Sequence, residues 1–213
     1  MYKYILIFGF LILLNSCVKN PSDKPVVEGP EAKEATQAIE KNPKSVAVVS
    51  IQHKTKTGKT FIVSEEKTSA SISNISVITE GFTEVNDTIY LEESDPISKV
   101  STTDLNKDGF DEIFIITESA GSGSYATIYG FSSNRDKSVS SIIIPEISQS
   151  DLAEGAIFNG YMGHDSIYVS KNKLFRKFPI YKEGDENCCP SGGVKKIQYV
   201  LKPGENYWRL EVK

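Results

Sequence analysis

The sequence predicts an all-β domain that folds as an antiparallel β-sandwich or a partly closed β-barrel. Short runs rich in Ile, Val, Tyr, Phe and Thr recur from residue 45 onwards, with turn residues between them. Few stretches show the apolar period of a helix, and DLAEGAIF (151–158) is the weak candidate. Many short strands with few helices are typical of sandwiches and barrels. No internal repeat has enough copies to form a propeller.

Eleven segments have the composition of strands. They are SVAVVSIQ (45–52), KTFIVSEE (59–66), SISNISVIT (71–79), DTIYLEE (87–93), EIFIITE (112–118), YATIYGF (125–131), SVSSIIIP (138–145), DSIYVS (165–170), KLFRKFPIY (173–181), KKIQYVL (195–201) and YWRLEV (207–212). Their spacing fits a single domain over residues 45–213, which is long enough to bury a sizeable core.

The first sixteen residues predict an export signal and not a part of the fold. Lys3 precedes a short apolar run, and the residues LNS stand directly before Cys17. This ending resembles the bacterial lipobox, which implies cleavage before Cys17 and lipid attachment to it. The alternative is ordinary secretion with an unrelated cysteine. We therefore expect an exported bacterial lipoprotein, anchored to a membrane through Cys17 in the periplasm or at the outer membrane.

Residues 17–44 predict a flexible tether between that anchor and the domain. The segment has four prolines and few large apolar side chains, so it lacks the surface needed to pack by itself. As a flexible coil it spans roughly 30 Å. No later segment is long and apolar enough to cross a bilayer.

Charge argues against a nucleic-acid partner. Without residues 1–16, which contain one charged side chain, 23 Lys and Arg stand against 28 Asp and Glu. A mildly acidic protein is repelled by phosphate backbones and fits a cationic partner weakly.

Cys188 and Cys189 are adjacent, so they are not an ordinary structural disulfide. Neighbours can close only an eight-membered ring, or one thiol can join a second chain. Two thiols without further ligands do not make a zinc site.

The segment DLNKDGFDEIFI (104–115) carries oxygen-bearing side chains at alternate positions. Asp104, Asn106 and Asp108 precede Gly109, and Glu112 follows. This pattern suits a hard cation such as Ca²⁺ and resembles the calcium-binding loops of FG-GAP and VCBS β-modules. The alternative is a metal-free loop whose Asp and Asn side chains cap their own backbone amides. No other cofactor is expected.

A second loop, Gly121-Ser122-Gly123-Ser124-Tyr125, separates two predicted strands. The G-x-S-x-G elbow of serine hydrolases is absent, and no histidine is placed as a base by sequence. The phosphate-binding pattern G-x-x-x-x-G-K-[ST] is absent as well. A plain hairpin turn and a protruding recognition loop both remain open, because glycine permits close approach and tyrosine supplies rigid contact area.

Four runs together resemble a known family. They are SAGSGSYATIYGFSSNRDKSVSSIIIPE (119–146), GYMGHDSIYV (160–169), LFRKFPIYKEGDEN (174–187) and PSGGVKKIQYVL (190–201). The chain resembles the periplasmic inhibitors of i-type lysozyme, the PliI family, over residues 98–201, and more loosely over 45–97. Its most specific shared motif is SGxY at Ser122–Tyr125. The cysteine pair, the lipid anchor and the tether depart from the family.

The resemblance implies a function without catalysis. Ser122 and Tyr125 would contact the active-site cleft of an i-type lysozyme, while Gly121, Gly123 and Ser124 would shape the loop. Family members are β-rich and can be dimeric, so a homodimer is compatible with it. The rival hypothesis, based on residues 104–112 alone, is a calcium-binding surface module for adhesion or scaffolding.

Overall fold

A computed structural model of the chain describes residues 48–213. The predicted signal peptide (1–16), the lipidation site Cys17, the tether (17–44) and residues 45–47 of the predicted domain lie outside the described residues. Within the described part, no helix is long and apolar enough to cross a membrane.

Residues 48–213 contain twelve strands and one short helix. The strands are β1 Val48–Lys54, β2 Thr60–Lys67, β3 Ser73–Glu80, β4 Thr88–Ser94, β5 Ile97–Thr103, β6 Glu112–Glu118, β7 Ala126–Ser133, β8 Val139–Ile143, β9 Ser166–Val169, β10 Leu174–Pro179, β11 Val194–Pro203 and β12 Trp208–Val212, and the helix is α1 Gln149–Leu152. The all-β class predicted from sequence is therefore confirmed.

The strands form two sheets. The first is a meander in the order β1-β2-β3-β4, and the second has the order β5-β6-β7-β8-β12-β11-β10-β9. All neighbours are antiparallel except β8 and β12, which run parallel where Trp208 lies opposite Ile142. The prediction of a wholly antiparallel fold misses this one pair, because the parallel partners lie far apart in sequence.

The larger sheet curls until its edge strands meet. β5 and β9 stand at opposite ends of the strand order but contact each other. Close by, Thr103 Oγ1 lies 3.4 Å from Asn172 Oδ1. The sheet therefore makes a nearly closed barrel, and the partly closed barrel predicted from sequence is the better description of this half.

Strand β6 is buried on both faces. Phe114 and Ile116 point into the barrel core, which also contains Leu174, Phe178 and Leu210. On the other face of β6, Ile113 and Ile115 join a second core, whose remaining buried members are Phe61, Val63, Ile75, Val77, Phe82 and Phe131. This second core packs the four-stranded sheet against the barrel. The uninterrupted apolar run of β6 is what a strand with two buried faces requires.

Two local predictions differ from the structure. Strand β5 was not predicted, because its sequence ISKVSTT is mostly polar and its pairing with β6 shifts register between Ile97 and Lys99. The helix predicted over 151–158 is shorter and begins earlier, since Ser148 and Asp151 form a reciprocal cap. The helix ends at Leu152, ahead of Gly155 with its positive φ.

Candidate functional site

The loop Gly121–Tyr125 connects β6 to β7 at one end of the barrel. At its base, Ser119 N donates to Tyr125 O at 2.9 Å, and Tyr125 N donates to Ser119 Oγ at 2.9 Å. At its tip, Ser124 N donates to Gly121 O at 3.0 Å, and Ser124 has a φ of 41°. The loop is therefore a tight turn on the end of a rigid two-strand unit.

The side chains at positions 122 and 125 face solvent. Ser122 is exposed, and 47% of the Tyr125 surface is accessible. The contact that fixes Ser122 uses its backbone carbonyl, so the hydroxyl is left at the surface. Both side chains are therefore accessible from outside the domain and are not covered by the neighbouring strands.

The segment 160–165 supports the loop from one side. His164 N donates to Gly123 O at 2.6 Å. Gly163 packs so closely against the same carbonyl that a Cβ atom would collide with it, and its φ is +88°. Only glycine meets both conditions without strain. On this side the loop is thus held through the backbone carbonyl of Gly123.

Asn187 supports the loop from a second side. Its Nδ2 donates to Ser122 O at 2.9 Å, and its Oδ1 lies 3.3 Å from His164 Nε2. Its own carbonyl accepts from Tyr181 Oη at 2.7 Å. Asn187 therefore links three chain segments, and His164 contributes both its backbone N–H and its ring to this network.

Asp185 shapes the turn that carries Asn187. One carboxylate oxygen accepts from Lys182 N and from Ser191 N, both at 2.8 Å. These bonds lower the pKa of Asp185, the bond from Lys182 N contributing most. The carboxylate is thus stabilised in its charged form, in which it closes the turn.

Cys188 and Cys189 form a disulfide with each other directly after Asn187. Of the two alternatives raised by the sequence, the structure has the eight-membered ring. Both cysteines are exposed, and neither side chain contacts the loop in the hydrogen bonds that hold it.

The ring of Tyr125 stands at the end of an apolar cleft. It meets Tyr161 edge-on, with ring centroids 5.8 Å apart. The cleft has a volume of about 890 Å³, and its lining includes β7, residues 144–147 and residues 89–91 of β4. Burial raises the pKa of the Tyr161 phenol, with a smaller contribution in the same direction from Asp165. The Tyr161 phenol is therefore neutral, and the Tyr125 ring packs against it.

The acidic loop 104–112 lies at the opposite end of β6. Asp108 N donates to Asp104 Oδ1 at 3.0 Å and to Asn106 Oδ1 at 2.9 Å. Asp108 Oδ1 accepts from Phe110 N at 2.9 Å. The Lys56 ammonium contacts the Asp104 carboxylate. These side chains cap the loop's own amides.

Glu112, the last residue of the acidic loop and the first of β6, is 1% exposed. Its Oε2 accepts from Leu105 N at 2.7 Å, whereas Oε1 is buried without a partner among the described residues. Burial raises the pKa of Glu112 to about 8, the charges of Asp108 and Asp104 act in the same direction, and the bond from Leu105 N opposes them. Across residues 48–213, no three acidic, histidine or cysteine side chains converge closely enough to hold a metal ion.

The sequence pattern predicts the loop but not most of the residues that support it. Asn187, Asp165 and Arg176 were not singled out. A signal did exist for Arg176, because the alternation in LFRKF places it on the same face as Leu174 and Phe178. An arginine on the apolar face of a strand indicates a buried partner.

Comparison with known proteins finds no match: no protein-family model, no curated protein and no solved structure is similar to this chain. The resemblance to lysozyme inhibitors therefore stays a prediction from the quoted residues. The remaining basis for proposing a function is the geometry of the two loops at the ends of β6.

Proposed function

We propose that this protein is a proteinaceous inhibitor of lysozyme, with i-type lysozyme as its target. The inhibitor inserts the Ser122–Tyr125 loop into the active-site cleft and blocks peptidoglycan hydrolysis. It acts by occupying the cleft and is not itself an enzyme.

The observation that carries the proposal is a loop whose backbone carbonyls are held by hydrogen bonds while Ser122 and Tyr125 are exposed. Gly123 O is held by His164 N, and Ser122 O is held by Asn187. A loop already fixed in one conformation loses little entropy on binding. Ser122 and Tyr125 project from that frame, and their small hydroxyl and flat ring fit a narrow polar cleft.

Lysozymes hydrolyse glycosidic bonds with two carboxyl groups, one of which has a raised pKa and acts as the acid. In the proposed complex, the Ser122 hydroxyl donates to a carboxyl group of the enzyme. The Tyr125 ring packs on the cleft wall and excludes the sugar from its subsite. Inhibition is competitive, because the loop and the substrate need the same space.

The test is a muramidase assay with the purified chain against i-type, c-type and g-type lysozymes. Inhibition should be strongest for the i-type enzyme. Ser122→Ala and Tyr125→Ala should each weaken inhibition by about 1–3 kcal/mol, since each removes a central contact. Thr127→Ala, an exposed change just inside β7, is the matched control. Unchanged inhibition constants in both loop variants would show that the loop is not part of the interface with lysozyme.

The proposal includes a place in the cell envelope. A lipid on Cys17, outside the described residues, would hold the domain near the peptidoglycan that the inhibitor protects. The proposed mode of action needs neither nucleic acid nor a second copy of the chain. Labelling with a palmitate analogue in a bacterial host, with Cys17→Ser as control, tests the anchor.

The buried Oε1 of Glu112, which has no hydrogen-bond partner within residues 48–213, favours a second candidate, a calcium-binding adhesion or scaffold module. Ca²⁺ would take the oxygens of Asp104, Asn106, Asp108 and Glu112 in place of the Lys56 contact. Calorimetric titration with Ca²⁺ decides between the two. A scaffold requires binding and a large rise in melting temperature, whereas the inhibitor keeps its activity in a chelator.

A further inference from the structure

Asp165 and Arg176 form a buried ion pair inside the barrel. Their side chains are 0% and 7% exposed, and Arg176 Nε lies 3.1 Å from Asp165 Oδ2. The N–H is not directed at that oxygen, so the contact is ionic and not a hydrogen bond. Arg176 stands on the inner face of β10 between Leu174 and Phe178, and Asp165 directly precedes β9.

Both members of the pair hold the same residue, Ala126. Arg176 Nη2 donates to Ala126 O at 3.0 Å, and Ala126 N donates to Asp165 Oδ1 at 3.0 Å. Ala126 is the first residue of β7 and follows Tyr125 directly. Its two backbone groups point away from β6, since the neighbouring Tyr125 O is the one that accepts from Ser119 N.

The ion pair makes the hydrogen bonds to Ala126 that a neighbouring strand would otherwise make. β8 accompanies β7 only over Phe131–Ser133, so none of the strands within residues 48–213 pairs with the first residues of β7 on that side. Asp165 supplies an acceptor and Arg176 a donor, as a neighbouring antiparallel strand would. The start of β7 is therefore held by two side chains from segments 39 and 50 residues away.

Aromatic rings fix the guanidinium in turn. The Arg176 Cζ atom lies 5.8 Å from the ring centroid of Tyr161 and 5.9 Å from that of Phe158. Tyr161 is also the ring against which Tyr125 rests. The same cluster thus touches the backbone after Tyr125 and the side chain of Tyr125 itself.

Stability alone is a weak reason for such a pair. Removing two charges from water is costly, and apolar residues of similar volume often replace a buried ion pair with no loss of stability. What apolar residues cannot replace is the pair of hydrogen bonds to Ala126.

We infer that Asp165 and Arg176 are positioning residues for the Gly121–Tyr125 loop, because together they hold both backbone groups of Ala126 and so set the direction in which Tyr125 leaves the sheet. The consequence for inhibition rests on the proposed function. The consequence for the loop itself does not.

The test separates loop order from global stability by amide hydrogen exchange in the full chain. In the double variant D165L/R176M, the amides of Ala126 and His164 should exchange about tenfold faster than the change in global unfolding accounts for. Glu65→Gln is the matched control. This carboxylate is also buried and bonded to Ser73 Oγ and Ile97 N, but it belongs to the four-stranded sheet.

Arg176→Lys provides a second variant that keeps the buried charge, in case the double variant does not fold. Lysine has a single ammonium group on a shorter side chain. It cannot reproduce the two contacts that the forked guanidinium makes with Asp165 and Ala126. Faster exchange at Ala126 with unchanged exchange in β6 is expected. Exchange that follows global stability in these variants, or loosening of the loop by Glu65→Gln as well, would overturn the positioning role.

Inhibition measured on the same variants distinguishes the two ideas. A loosened loop with an inhibition constant raised about tenfold supports both. A loosened loop in a protein that never inhibits lysozyme refutes the proposed function and leaves the positioning role standing. Unchanged local exchange in a protein that does inhibit lysozyme refutes the positioning role alone.

Discussion

The two loops at the ends of β6 differ in what mainly holds them, although Lys56 also contacts Asp104 and Asp111 of the acidic loop from outside. The acidic loop before β6 turns its polar side chains onto its own backbone, so that Asp104, Asn106 and Asp108 are occupied by nearby amides. The loop after β6 is held from outside by His164 and Asn187, which bind its carbonyls. A self-capped loop has few groups left for a partner, whereas an externally held loop keeps its side chains available.

This comparison predicts that changes near the two loops have different effects. Substitutions at the acidic loop should alter the free energy of unfolding and leave binding unchanged. Substitutions at the supports of the Gly121–Tyr125 loop should alter binding more than stability.

The largest effect is expected for Glu112→Gln. Because the pKa of Glu112 is about 8 when folded and 4.5 in its ordinary state, the folded protein binds this proton more tightly than the unfolded chain. Stability from this group is therefore lost as pH rises from about 4.5 to about 8. Glutamine does not titrate, so at pH 9 the variant should be more stable than the parent by about 2–4 kcal/mol.

Urea unfolding at pH 5, 7 and 9 in the presence of a chelator measures this effect. The parent and the variant should differ least at pH 5 and most at pH 9, with equal lysozyme inhibition at each pH. Parallel stability curves across the range would show that Glu112 is not the titrating group.

Gly163→Ala should have the next largest effect, on the second loop. The added Cβ would collide with Gly123 O, and the φ of +88° disfavours any side chain. We expect a loss of about 2–3 kcal/mol in inhibition, because the loop must move. Gly184→Ala is the matched control, since Gly184 has a φ of +85° but no atom within 4 Å of its Cβ position. Equal effects of the two substitutions would mean that the collision is unimportant.

The smallest effect is expected for the double variant C188S/C189S. The disulfide follows Asn187 without contacting the loop, so inhibition should change by less than about 0.5 kcal/mol. Asn187→Ala removes the bond to Ser122 O and should cost about 1 kcal/mol. A larger loss in the cysteine variant than in the asparagine variant would assign the disulfide a direct part in holding the turn.

Strands were predictable where local pattern was strong. The run EIFIIT predicted β6, and alternating apolar residues predicted β3 and β10, because the side-chain period of a strand is a property of adjacent residues. Strand β5 was not predictable in this way, because ISKVSTT is an edge strand with little apolar surface. The two loops at the ends of β6 were also visible, since glycine and short polar residues mark turns.

The sequence by itself determined the all-β class, most strands and the position of both loops, since these depend on composition and on neighbours along the chain. Only the tertiary structure decided which residues hold the second loop. Gly163, Asn187, Asp165 and Arg176 reach it from 39 to 65 residues away, and their meeting depends on strand order and on the closure of the barrel. Such contacts follow from the register of the whole sheet, which no short stretch of sequence contains.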